Sequence, residues 1–345
     1  MTRIHTIGLD VSKNVFQVHG ADKSGARVLK RKLQRKEVAG YFKRLKPCVV
    51  GVEATGGVHY WGRLLTAMGH TVKIMPAAYV KPYVKTNKND VIDAEAICEA
   101  VRRPTMRFVP VKSETQQAVL TMHRARSTLT AQRVQVSNAM RGFLSEFGII
   151  VPRHRQGTDE VLRLADGEPS RVIPPMAQDV LRLLAEQYRL MMKQIKTIDS
   201  LIGKWSRANP ECKRLETIPG VGPIAATALV ASIGDASQFR SGRQLAAWMG
   251  LVPRQYSSGG KTILGHIPKR GNSYLRRLFF MSSMSLIISK SKHRLTRWAH
   301  KLLRRKPYRV AVIALANKLV RIAWAILVRG GEFRAKARGP LPART

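Results

Sequence analysis

Residues 4–22 read IHTIGLDVSKNVFQVHGAD, and the assignment of the fold turns on them. IHTIGLDVS and VFQVHGAD are short runs rich in β-branched residues, and a third, ARVLKRKL, follows the turn signal Asp22-Lys23-Ser24-Gly25. Alternating apolar residues closed by turn formers predict a three-strand meander. The first strand pattern ends on Asp10, an acid at the tip of an otherwise apolar run.

Working outward, VAGYFKRLK reads as a helix, CVVGVEATG as a buried strand ending at Glu53, VHYWGRLLTAMG as a helix closed by Gly69, and HTVKIMPA as another strand. A last helix begins near Asp90 in NKNDVIDAEAI. Three strands, then helix, strand, helix, strand, helix is the layout of a ribonuclease-H-like α/β domain, expected over residues 1–110. Residues 111–208 turn long and helical in period, with a breaker-rich link between two stretches, and predict a helical hairpin or coiled-coil arm. Residues 209–345 predict a mostly helical, strongly basic domain with a β-hairpin around RQYSSGGKTILGHIPK. The expected class is therefore α/β plus α.

Charge decides the partner class. The chain has 345 residues, 61 Lys and Arg against 21 Asp and Glu, and a formal charge of +40. At 44% hydrophobic residues it is too apolar for a disordered polycation, so the charge covers folded surfaces. Such surfaces bind phosphate backbones with release of counterions, which predicts DNA or RNA as partner and a steep salt dependence. Cys48, Cys98 and Cys212 are far apart and without zinc-ligand spacing, which fits a reducing cytoplasm. The first strand comes too early for a signal peptide. The apolar run from Val310 is broken by Asn317, Lys318 and Arg321, so a packed core helix is expected there and no membrane span.

Against that charge, a few acids stand out by position. Asp10 ends the first strand, Glu53 ends the fourth, and Asp90 and Asp93 lie one helical turn apart, a placement that lets all four meet at one edge of the sheet. Hard cations such as Mg2+ and Mn2+ prefer carboxylate oxygens, and a pair of them stabilises both the attacking and the leaving oxygen in phosphoryl transfer. Each acid also has a plain structural role, Asp10 in a turn and Asp90 as a helix N-cap. Glu95 and Glu99 belong to the solvated side of the same helix.

GLDVSK, VEATGG and NDVIDAEAI together resemble the Asp, Glu, Asp, Asp signature of the RuvC-like transposases of a bacterial insertion-sequence family, recombinases guided by a structured bridge RNA. The resemblance implies that Asp10, Glu53, Asp90 and Asp93 are catalytic metal ligands. It also implies donor and target DNA and a bridge RNA as partners, and a homotetramer with active sites shared between protomers, for which the helical arm is a natural place. GLDVSK also starts like the phosphate loop of actin-like sugar kinases, but Ser12 and Lys13 stand where that loop wants Gly and Thr.

In the C-terminal region LETIPGVGPIAATALVASIGD has the pattern of a helix-hairpin-helix, with Gly220 and Gly222 in the hairpin and Ala226 opening the second helix. Backbone N–H groups at such a turn hold a nucleic-acid phosphate; the plain alternative is an αα turn. In QFRSGRQLAAWMGLVP, Ser241 followed by Gln244 reads as a capping box. The resemblance instead implies that Ser241 is the nucleophile that attacks DNA to give a phosphoserine-linked intermediate, with Arg240 and Arg243 beside it for phosphate charge. Gly271, Asn272, Leu275 and Arg276 resemble the family's Gly-Asn-x-x-Leu-Arg block, assigned to nucleic-acid contact with Lys261, Lys269, Arg270 and Arg277. Trp298 and Tyr308, among basic residues, are candidates for stacking on unpaired bases, and Trp298 equally for the core.

The functional expectation is thus a DNA recombinase that cuts and rejoins strands. Its alternative is a metal-dependent nuclease or junction resolvase of the same fold with water as nucleophile, and a third is a basic architectural protein without chemistry.

Overall fold

The computed structural model describes residues 3–84, 90–153, 155–167, 172–268, 270–289 and 293–334, with the side chains of Asp90, Val91 and Arg155 outside that set. The chain divides into two compact units, Met1–Gln117 and Ala118–Thr345.

In the first unit the meander forms as β1 (Thr6–Asp10), β2 (Val15–Ala21) and β3 (Arg27–Gln34). After α1 (Arg35–Lys43) come β4 (Val49–Glu53), α2 (Val58–Ala67), β5 (Thr71–Met75), the short α3 (Ala77–Val80) and α4 (Asp90–Val101). The sheet order is β3-β2-β1-β4-β5; β1, β2 and β3 pair antiparallel, whereas β1, β4 and β5 pair parallel. A five-strand mixed sheet of this kind is consistent with a ribonuclease-H-like domain.

Strand alternation assigns the two faces of this sheet. Ile7, Leu9, Val50 and Val52 point to one side and pack with Phe42 of α1 and Trp61 and Leu65 of α2. Gly8 and Gly51, directly paired across β1 and β4, face the other side. There α4 lies directly on the strands: a Cβ on Gly8 would fall 2.1 Å from the Ala94 carbonyl oxygen, and one on Gly51 would fall 2.7 Å from the Val101 Cβ. Only glycine admits a helix at that distance. The contacts run Cys98 to Thr6 and Ala94 to Gly8, so α4 is antiparallel to β1.

The second unit contains two long helices, α5 (Glu114–Glu146), whose first turn lies in the first unit, and α7 (Pro175–Ala208), with α6 (Arg155–Asp166) between them. Then follow α8 (Pro210–Glu216), α9 (Pro223–Ile233), α10 (Gly242–Trp248), the hairpin of β6 (Gln255–Ser258) and β7 (Lys261–Leu264), α11 (Ser273–Ile288), α12 (Arg294–Leu303) and α13 (Tyr308–Arg329). The helix expected to open at Ala226 begins at Pro223, because proline fits the first helical position, where no amide donor is needed. Among the described residues α13 is the one helix long and apolar enough to cross a membrane. Leu315, Leu319 and Ala323 along one side of it are fully buried in the core formed with α9, α10 and α11.

Candidate functional site

The same alternation that places Gly8 and Gly51 places the acids. Asp10 is two residues beyond Gly8 and Glu53 two beyond Gly51, so both carboxylates project from the α4 face at the C-terminal ends of adjacent parallel strands, spaced about 4.8 Å. Because α4 runs antiparallel to β1, its first turn comes to this end. Four residues of helix rise about 6 Å and two residues of strand about 6.6 Å, so the row Cys98, Ala94, Asp90 keeps step with Thr6, Gly8, Asp10. Asp93 stands on the neighbouring row, with Ile97 and Val101, toward β4. Both strand-end carboxylates and the first turn of α4 therefore converge at one edge; the Asp90 side chain itself lies outside the described residues. Glu99 pairs with Arg103 one turn further along, away from that edge.

The second unit treats its expected site residues differently. Gly220 and Gly222 occupy the exposed turn between α8 and α9. Ser241 caps α10: its hydroxyl oxygen accepts from the Gln244 amide at 3.3 Å, while the Gln244 side chain accepts from the Arg240 amide at 2.6 Å. The return bond of a capping box goes to the cap residue's own amide, so this is one residue out. Ser241 and Arg243 line a cleft of about 1420 Å3 walled by α10, α12 and α13.

The Gly271-Asn272 block has internal partners. Asn272 accepts from the Leu275 amide at 3.0 Å and caps α11. Arg276 donates to the Met249 carbonyl at 2.9 Å and the Arg270 carbonyl at 2.8 Å, tying the end of α10 to the start of α11. Gly271 has φ 77°, and a Cβ there would lie 1.8 Å from the Trp248 carbonyl oxygen. Through these bonds Arg276 ties the end of α10 to the start of α11, which Asn272 caps. Arg277 bonds Ser127 at 3.0 Å and lies over Tyr274, Arg240, Lys261 and Arg270 are exposed, and Lys269 lies outside the described residues.

Residues 7–149 match the DEDD transposases of IS110 elements, and residues 212–299 match the transposase IS116/IS110/IS902 family. Over 332 residues, 95% of the chain and 98% of the relative, the protein is 46% identical to a probable family 20 transposase of Pseudomonas aeruginosa. The chain belongs to the IS110/IS116 family of insertion-sequence transposases. It is also 39% identical to the transposase for insertion sequence element IS1328 of Yersinia enterocolitica, over 96% of the chain and 99% of that protein. To the transposase for IS1111A of Coxiella burnetii it is 36% identical, over 98% and 93%.

As a transposase the protein is a DNA-acting enzyme, and membership of the DEDD class implies use of a divalent metal. The donor chemistry at the sheet edge fits: oxygen ligands from β1, β4 and the start of α4 suit a hard cation. Among the described residues no three His, Cys, Asp or Glu are arranged to hold a metal, so Asp10, Glu53 and Asp93 share the edge without by themselves forming such a group; the Asp90 side chain is outside that count. Sequence reading of the transposase missed the cations that α13 presents to the Ser241 cleft, Arg309, Lys318 and Arg321. The signal for two of them is in the sequence: Lys318 and Arg321, three residues apart, interrupt the apolar run on neighbouring positions of one helix face.

Proposed function

We propose that the transposase cuts and rejoins DNA at the ends of its element and at a target through a serine-linked intermediate, assisted by Mg2+ or Mn2+ and directed by a structured bridge RNA. The observation that carries this reading is the convergence of Asp10, Glu53 and the first turn of α4 at one sheet edge in a chain otherwise so basic. Asp10, Glu53, Asp90 and Asp93 would hold the cation, whose charge offsets that gathering on the phosphoryl oxygens. A serine hydroxyl forms the new bond to phosphorus, the deoxyribose oxygen opposite it leaves, and a later strand hydroxyl reverses the step. Lys261, Arg270 and Arg277 meet backbone phosphates, as do the amides around Gly220 and Gly222, while base pairing to the RNA supplies sequence choice.

Assembly into a tetramer is part of the proposal. It is supported by α7, which buries Leu181, Ala185 and Ile195 on one side yet exposes Met176, Val180, Leu183, Leu190 and Leu201 on another. Those exposed positions are separated by four, three, seven and eleven residues and so fall on one heptad grid, the spacing of a coiled-coil seam.

A second reading, in which water is the nucleophile, is favoured by the use of Ser241 as a helix cap. Trapping on a suicide DNA substrate, followed by peptide mapping, separates the two. The expected result is an adduct on Ser241 that is lost in Ser241→Ala. An adduct on Ser257 or Ser258, in the exposed hairpin beside Lys261, keeps the covalent chemistry and moves the nucleophile. No adduct, with full cleavage by Ser241→Ala, establishes the water reaction.

A further inference from the structure

The cleft beside Ser241 has a chemistry of its own. Its floor is apolar, with Phe280, Ile313 and Trp298, and its rim carries Arg243, Arg309 and Arg321. Among the described residues no acid lines it. The only acid in the sequence after Asp235 is Glu332. One wall is rigid, because α10 begins hard against α13: a Cβ on Gly242 would lie 2.9 Å from the Arg321 Cα. Helix α13 thus has two working sides, one sealed in the core and one, through Val310, Ile313, Asn317 and Arg321, open to the cleft.

Trp298 and Lys318 stand at the end of this space. The Lys318 ammonium lies over the Trp298 ring, 4.3 Å from its centroid, and both also line a smaller cavity of about 300 Å3 next to Arg294. By contrast, the other indole of the cleft, Trp324, is fixed by bonds to the Ala236 and Phe239 carbonyls at 3.2 and 3.1 Å. Burial first, then the charges of Arg294 and Arg321, hold the Lys318 ammonium below the ordinary lysine range. Like charges packed against an aromatic floor, with no carboxylate among the lining residues, suit a ligand that is anionic and aromatic at once.

We infer that this cleft receives an unpaired nucleotide of the nucleic-acid strand being processed, its base against Trp298 and the apolar floor and its flanking phosphates at Arg243, Lys318 and Arg321. An extruded base is a natural occupant, since fixed duplex leaves no π face to offer and stacking on an aromatic side chain offsets part of the cost of unpairing. The inference deepens the proposed recombinase reading, on which it rests for the identity of the strand.

The test uses the full-length protein and equilibrium binding of single-stranded and fully paired oligonucleotides of equal length, in DNA and RNA versions, over a range of salt. Trp298→Ala is expected to weaken single-strand binding about 5- to 150-fold, the range of one lost base stack, with duplex affinity within about twofold and an unchanged salt slope. Trp298→Phe, which keeps a ring and the packing, should retain most of the affinity, and Lys318→Met should reduce the salt slope by about one. Whichever of the DNA and RNA arms responds names the strand. If Trp298→Ala and Trp298→Phe both leave single-strand binding unchanged, or weaken single strand and duplex alike, the cleft is not a nucleotide site. That outcome with strand transfer intact overturns this inference alone; loss of metal-dependent strand transfer in the wild type with the Trp298 effect intact overturns the recombinase reading instead.

Discussion

A buried histidine in the second unit makes its stability depend on pH in a calculable way. His123 of α5 is 2% exposed, with ring nitrogens 2.9 Å from the Thr227 hydroxyl and 3.0 Å from the Tyr274 hydroxyl. Thr227 donates its own proton to the Pro223 carbonyl at 2.6 Å, so it accepts from Nε2–H, and Tyr274 donates to Nδ1. The ring is therefore neutral, and a second proton would have to displace the Tyr274 bond. Burial first, then the nearby Arg126 charge, lower the pKa from 6.5 to about 4, with Asp199 opposing. The folded protein thus binds fewer protons than the unfolded chain between those two values, so stability is complete above about pH 6.5 and falls as pH drops toward 4. The whole gap corresponds to about 3 kcal/mol, of which about 1.4 is lost by pH 5.5 and about 2.5 by pH 4.5. Urea unfolding of wild type and His123→Gln, followed at those two values and near pH 7.5, checks it. The carboxylates titrate in both proteins and cancel in the difference, so the two stabilities should converge by those amounts on acidification. Parallel pH profiles, or an NMR titration placing His123 near 6.5, would refute the reasoning.

Three further outcomes follow from the geometry. Gly271→Ala places a Cβ 1.8 Å from the Trp248 carbonyl oxygen at positive φ and should cost about 3 kcal/mol in a thermal melt, whereas Gly56→Ala, with open space around it, should stay within about 0.5 kcal/mol. Leu183→Glu, at a position 66% exposed on α7, should lower the sedimenting mass without unfolding the chain; an unchanged mass would remove α7 from the assembly surface. Saturating Mg2+ should raise the melting temperature of the wild type, by the equivalent of about 2.7 kcal/mol at a hundredfold excess over Kd, and leave Asp10→Asn or Asp93→Asn unmoved; equal shifts in all three would take the cation away from this edge.

The first unit was legible because its signals are local and periodic. Strand alternation in IHTIGLDVS and CVVGVEATG fixed both the face and the end at which Asp10 and Glu53 appear, and the helix around Ala94 and Cys98 needed only its direction. That direction rests on Gly8 and Gly51, which in sequence look like weak points of two strands. Their meaning, a floor low enough for α4, exists only once β1 and β4 are paired.

The second unit resisted for the opposite reason: a charged or polar residue announces its chemistry but not its partner. Asn272 and Arg276 sit in a basic stretch and look like phosphate contacts, yet their nearest acceptors and donors are the chain's own backbone groups at Met249, Arg270 and Leu275. An unmet carbonyl in a tight turn costs as much as a lost hydrogen bond, so a guanidinium within reach of two of them is drawn inward before any phosphate arrives. Lys318 and Arg321 show the converse. Set in an apolar helical run, they look like flaws in a core segment, but Lys318 is half-buried and Arg321 exposed, and the side of α13 that bears them opens on the Ser241 cleft, where the described lining has no carboxylate to meet them. Positive charge held there against burial and mutual repulsion is more costly than the same charge in solvent, which is the physical ground for looking in that cleft for the polyanion before looking on the exposed lysines.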